Sequence, residues 1–346
     1  MSSDEESAPW DGSEPLRAEP RGFTRDQMVR CEACLRANPP TRTSCLYCAA
    51  QLPATEAGEA LQRPTLRRLE KWEQGFNVIL LPTDAAPFPQ EAVRIAAELL
   101  RLRPEDLGRI IEAREPLPVA RAASSNEAAL VERKLAELGF KALVIADTEL
   151  CKESPSVKRA RAFDLTEDAL VIYTAGGGEP SGVLWTEISL LLAGRLIVRE
   201  VAVEERKGRR AEKEIVDARE VSADEAVLDI YTTRGDDDCW RVSAASFDFS
   251  CLGARKGLVT AQNLATLVNT LRERAGRASY DDSYMRVRGA LAYAWPVEQQ
   301  TEARGWRRNA PGRVTTEEVA RSDNESQFTR YSRLRHYLQR NSGPDS

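Results

Sequence analysis

Two Cys-x-x-Cys pairs, Cys31/Cys34 and Cys45/Cys48, stand ten residues apart near the start of the chain. Four thiols at that spacing constrain the fold more than any other feature, since they close either one metal site or two disulfides. The opening residues, MSSDEESAPWDGSEP, are acidic and polar, without the basic and apolar regions of a secretory signal. No stretch approaches the roughly eighteen apolar residues of a membrane span. The expectation is a cytoplasmic protein without membrane contact, where paired cysteines are metal ligands rather than disulfides. One structural Zn2+ held by Cys31, Cys34, Cys45 and Cys48 is the predicted cofactor, and four protein thiolates leave no position for a reacting water.

The chain has 346 residues, so two or three compact units are expected. With 42% hydrophobic and 30% charged residues it has enough apolar material to bury real cores. A net charge of −5 argues against a protein dominated by a nucleic-acid-binding face. The expected fold class is multidomain α+β: an N-terminal zinc knuckle, a small β-α-α-β-α-β module, and an antiparallel β module capped by a helix. In numbers, residues 1–25 read as a disordered acidic tail, 26–53 as a zinc finger and 54–73 as a linker. Residues 74–147 read as an α/β domain, 158–276 as a β domain, and 277–346 as a helical and partly disordered segment.

Within 74–147, FNVILL is a β-rich run, and PQEAVRIAAELLRL repeats its apolar residues at helical spacing. RPEDLGRIIEA opens a second helix with Pro104 and two acids near its positive end. Pro116 and Pro118 restrict LPVARAA to a sheet edge. Ser124 or Ser125 can cap NEAALVERKLAELG, and FKALVIAD supplies the last strand.

From Arg159 onward, short β-rich runs alternate with turn clusters, and a turn is expected at Ala193-Gly194. Arg206, Lys207, Arg209, Arg210 and Lys213, mixed with glutamates, read as a solvated loop. TAQNLATLVNTLRERAG closes the module as an amphipathic helix. Beyond Pro296 there are nine arginines and no lysine. Phe328, Tyr331, Leu334, Tyr337 and Leu338 fall on one side of a last helix, suited either to docking on its own protein or to RNA.

Three resemblances attach to these segments. Cys31, Cys34, Asn38, Cys45 and Cys48 are similar to the Ran-binding-protein type of zinc finger over residues 29–50, a family with RNA-binding and ubiquitin-binding members. That resemblance implies RNA-contacting roles for Asn38 and Arg42. Residues 74–147 resemble the C-terminal domain of the ribosomal stalk protein, a fold shared with the adaptor of the Clp protease. Residues 158–276, through LWTEI and the closing helix, look like a pleckstrin-homology-like module.

No catalytic constellation emerges. His336 is the one histidine, so Ser/His, Cys/His and His-ligated metal chemistry lack a base or ligand. Cys151, Cys239 and Cys251 read as inert thiols. The expected function is a non-enzymatic zinc-binding adaptor making protein contacts, with no evident small-molecule substrate. The alternative is an RNA-binding or translation-associated protein using the finger and the arginine-rich tail.

Overall fold

A computed structural model describes residues 22–53, 64–70, 72–83, 87–150, 157–174, 178–207, 213–235, 239–310 and 313–341. The architecture is mixed α+β, in two compact units divided after Pro64. Of the expected acidic tail, residues 1–21 lie outside the described residues, as do 54–63 of the expected linker and Cys151.

The second unit begins with β3 (Phe76–Leu80), α1 (Gln90–Leu100), α2 (Pro104–Glu112), β4 (Leu117–Ala122), α3 (Ser125–Glu137) and β5 (Ala142–Ala146). The three strands form an antiparallel sheet in the order β4-β3-β5, which leaves proline-bearing β4 at an edge. Ser124 caps α3 by accepting the Glu127 N–H. Thr65 and Leu66, expected in a linker, instead tie onto this cap. The Glu127 carboxylate accepts Thr65 N, Thr65 Oγ1 and Leu66 N at 2.7–2.8 Å. Burial pushes that carboxyl up, but these bonds outweigh it and hold it below the ordinary range. Asp147 behaves alike: burial raises it, and Arg121, Asn77 and Gly75 N–H bring it below the usual value.

After a short helix α4 (Asp147–Leu150) come β6 (Lys158–Leu165), β7 (Ala169–Thr174), β8 (Ser181–Leu184), β9 (Ile188–Lys207), β10 (Lys213–Thr232) and β11 (Cys239–Ser243). The two meanders β6-β7-β8 and β9-β10-β11 are joined by a parallel pairing of β6 with β11. Helix α5 (Thr260–Arg274) buries Leu264, Leu267, Val268 and Leu271. It packs with Leu191, Leu228, Ile230, Trp240 and Val242 on one face of the sheet.

Over residues 188–192 and 227–231 the other face is buried as well, which explains why those parts of β9 and β10 are mostly apolar. Leu190, Leu192, Val227 and Tyr231 point there and join a core that includes Val78, Ile110, Leu117 and Phe140 of the first sheet and its helices. Residues 74–147 and 158–276, expected as separate modules, thus share one hydrophobic core. The C-terminal segment completes it through β12 (Ser279–Asp281), α6 (Tyr284–Leu291) and α7 (Glu325–Asn341). Tyr284, Trp295, Phe328, Tyr331 and Leu334 are fully buried in that core.

Helix α7 is seated by packing and by a buried ion pair. Gly194, expected in a turn, lies within β9, and a Cβ there would enter the Phe328 ring. Asp229 on β10 and Arg241 on β11 are directly opposite in register. Their two hydrogen bonds, of 2.7 and 2.9 Å, are wholly buried. Ser332 of α7 donates to Asp229 at 2.7 Å and Thr329 accepts from Arg241 at 3.1 Å. His336 stacks on Tyr231, ring centres 4.4 Å apart. Burial holds the imidazole below its ordinary pKa.

Beyond Pro296 the expected last helix is present as α7, but residues 298–310 and 313–323, for which no strand was expected, are paired β-structure. They form a hairpin, β13 (Glu298–Ala310) with β14 (Arg313–Asp323), and β14 pairs with β9 from Val198 to Arg206. The expected basic loop is correspondingly shorter, since Arg206, Lys207 and Lys213 belong to β9 and β10.

Removing one member of a buried ion pair strands the other, a cost of about 3–5 kcal/mol. Arg241→Met alone should therefore lower the urea midpoint markedly, and Arg241→Met with Asp229→Leu should recover much of it. Gly194→Ala should destabilise by about 1–3 kcal/mol through overpacking against Phe328, and an unchanged midpoint would contradict the seating.

Acid should also weaken this unit. A histidine held below about 6.5 in the fold takes up its proton more readily when unfolded, so its share of stability is lost as pH falls below that value. Glu127 and Asp147, lowered in the fold, add losses further down, below about 4. Urea melts of the full chain at pH 7.5 and 5.5 should differ, and His336→Phe should reduce the difference.

Candidate metal centre

Two knuckles of the same construction bring the four cysteines together. In the first, Cys31 N donates to Arg36 O at 2.9 Å and Leu35 N to Cys31 O at 2.8 Å. In the second, Cys45 N donates to Ala50 O at 2.8 Å and Ala49 N to Cys45 O at 3.1 Å. Each turn places the residue after its second cysteine, Leu35 or Ala49, in the left-handed region at φ 59 and 58°. The short strands β1 (Val29–Arg30) and β2 (Ala37–Asn38) pair across the first knuckle. Val29, Cys31, Cys45 and Leu52 form the small core beneath.

All four Sγ atoms lie within 4.8 Å of one another. The Cys31–Cys48 and Cys34–Cys45 sulfurs are 3.6 and 3.5 Å apart, far beyond the ~2.05 Å of a disulfide, and all four are free cysteines. A tetrahedral thiolate site with metal–sulfur bonds near 2.3 Å has sulfurs about 3.8 Å apart. The cluster therefore fits one metal ion, and every tetrahedral position is supplied by the protein.

Electrostatics around the sulfurs is uneven. Burial raises the Cys45 thiol, but N–H donors from Tyr47 and Cys48, with Cys34 and Asn38, outweigh it and bring it down to about 6. At Cys48 the Ala50 N–H acts downward, and the crowding thiols and burial push the group up to about 12.

Asn38, expected to face RNA, is fully buried. Its Nδ2 donates to Arg36 O at 2.9 Å and Cys45 Sγ at 3.5 Å, and its Oδ1 accepts Leu46 N at 2.8 Å. One amide thereby ties the first knuckle to the second and orients a ligand sulfur. Arg42 turns back on its own loop, with Nε donating to Ser44 O at 3.1 Å. Among the side chains the knuckle presents outward, Leu35, Leu46 and Tyr47 are 68, 53 and 57% exposed, alongside the exposed Arg30 and Glu32, with the Arg36 guanidinium 4.7 Å over the Tyr47 ring.

Elsewhere, Cys239 lies beside Tyr231, beneath the stacked His336, but its thiol is fully buried and burial pushes it well above its usual value. His336 Nε2 makes no hydrogen bond among the described residues, so the two do not form a nucleophile–base pair. Asp281 binds Ser283 N and Oγ at 2.8 and 2.5 Å, a local turn. Two of the tail arginines bind inward: Arg333 donates to Leu150 O, and Arg335 pairs with Glu115 and Asp281. The tie made by Asn38 had one trace in the sequence, an amide-bearing residue between two cysteine pairs.

No protein-family model, curated protein or solved structure matches this chain.

Orienting partners of metal ligands typically contribute 10–100-fold in affinity. Asn38→Ala should lower metal affinity by about that factor, measured by competition with a chromophoric chelator, whereas Arg42→Ala should leave it unchanged.

Proposed function

We propose that this protein is a non-catalytic adaptor whose N-terminal knuckle is stapled by one structural zinc ion and docks a protein partner. The observation that carries the reading is a closed set of four thiolates whose turns expose three large apolar side chains, Leu35, Leu46 and Tyr47. Four thiolates at this spacing suit zinc, which imposes no geometry of its own beyond the tetrahedron. Exposed aromatic and aliphatic side chains rimmed by an arginine have the composition of a protein-contact centre. Such thiolates persist in a reducing compartment, so the adaptor acts in the cytoplasm. Among the described residues no helix is long and apolar enough to cross a membrane.

The larger unit is the adaptor's scaffold. Its first part is read as a relative of the ribosomal stalk domain, supported by the β-α-α-β-α-β order and the antiparallel β4-β3-β5 sheet. Its second part is read as pleckstrin-homology-like, supported by two meanders closed by α5.

The test compares wild-type protein with Leu46→Asp/Tyr47→Ala, both zinc-loaded, as baits in native extract. The reading requires a stoichiometric protein that the wild type retains and the variant loses. Identical recoveries would reject it. RNA binding that weakens with salt and is lost in Arg42→Ala would instead favour the nucleic-acid alternative.

A further inference from the structure

A cavity of about 390 Å³ opens between the end of β3, the C-terminal end of α2, and Pro87 and Phe88 ahead of α1. That size is typical of a small-molecule site. Its inner wall is apolar: Leu80, Ile110 and Phe140 are buried, and Phe88 stacks on Phe140 with ring centres 4.1 Å apart.

Three ionisable side chains stand at the rim: Glu112, Arg114 and Glu115. Glu115 is already neutralised, since Arg286 donates to it at 2.7 Å and Arg335 also bonds it. Glu112 and Arg114 are exposed, and among the described residues their side chains make no hydrogen bond or ion pair. Arg114 is held in place by its backbone, in the left-handed region at φ 52° with its N–H on Ile111 O. Among the described residues, one anion and one cation without partners therefore share the mouth of an apolar cavity. A purely apolar occupant would desolvate both charges without replacing their water, an uncompensated cost. A simple acid or a simple amine would satisfy one and strand the other.

We propose that this cavity binds a free α-amino acid with a large apolar side chain. The ammonium meets Glu112, the carboxylate meets Arg114, and the side chain lies against Ile110 and Phe140. The proposed event is binding alone. It is independent of the reading of the knuckle.

Calorimetry on the full chain tests this with three probes: phenylalanine, phenylalaninamide, which lacks the carboxylate, and N-acetylphenylalanine, which lacks the ammonium. Phenylalanine should bind, and each analogue should bind about tenfold or more weakly, the effect of losing one charge-assisted hydrogen bond. Arg114→Gln should bring phenylalanine down to the level of its amide while leaving the amide unchanged. Glu112→Gln should do the same for the acetylated probe. Ile111→Trp, at a half-buried lining position, should block all three, with thermal melts establishing that each variant folds. Absence of phenylalanine binding, equal binding of both analogues, or full binding by Ile111→Trp would overturn the proposal. An amide that binds as tightly as phenylalanine would overturn it too, and would point to a peptide N-terminus.

Discussion

The larger unit depends on the seating of its last helix against β9, β10 and β11. Phe328 occupies the space left by the missing side chain of Gly194, and Ser332 and Thr329 complete the hydrogen bonding of the buried Asp229–Arg241 pair. Without α7 that pair would face water on one side, and the inward-facing residues Leu190, Leu192 and Tyr231 would lose their cover. A buried charge pair adds little net stability when complete, because desolvation offsets attraction. Its effect is selective: only a helix placing hydroxyls opposite both partners satisfies it.

The same helix joins the two sheets into one body. Arg335 reaches Glu115 on the loop after α2 and Asp281 at the end of β12. Trp295 donates to Asn77 in the centre of the first sheet at 2.8 Å, and Asn77 in turn holds Asp147 at 3.0 Å. The Arg335–Glu115 and Trp295–Asn77 ties run between residues more than two hundred positions apart, which is why the core is continuous across segments whose local patterns look self-contained.

Legibility of the sequence followed from how local the physics was. The helices α1, α2, α3, α5 and α7 are visible as apolar repeats, α3 with its serine cap, and the four-thiol cluster as cysteine spacing. The hairpin β13/β14 was not legible, because EQQTEARGWRRNA has neither alternation nor a β-rich run, and its pairing comes from β9. Pro311-Gly312, a turn dipeptide, was the available clue. Gly194 was misread as a turn because a glycine in a strand marks either a bend or a close approach, and only the distant Phe328 decides between them. Asn38 could be placed in the knuckle but not inside it, since burial depends on how the two turns meet. The rim pair Glu112 and Arg114 looks in sequence like any solvated helix end.

The functional account rests on the knuckle being a closed, four-thiolate zinc site whose outer surface is left for a partner. X-ray absorption at the zinc edge of the purified full chain addresses this most directly. Four sulfur neighbours near 2.3 Å with no light-atom ligand is the predicted result. A site with nitrogen or oxygen in its first coordination sphere, or a protein that retains no zinc, would contradict the account.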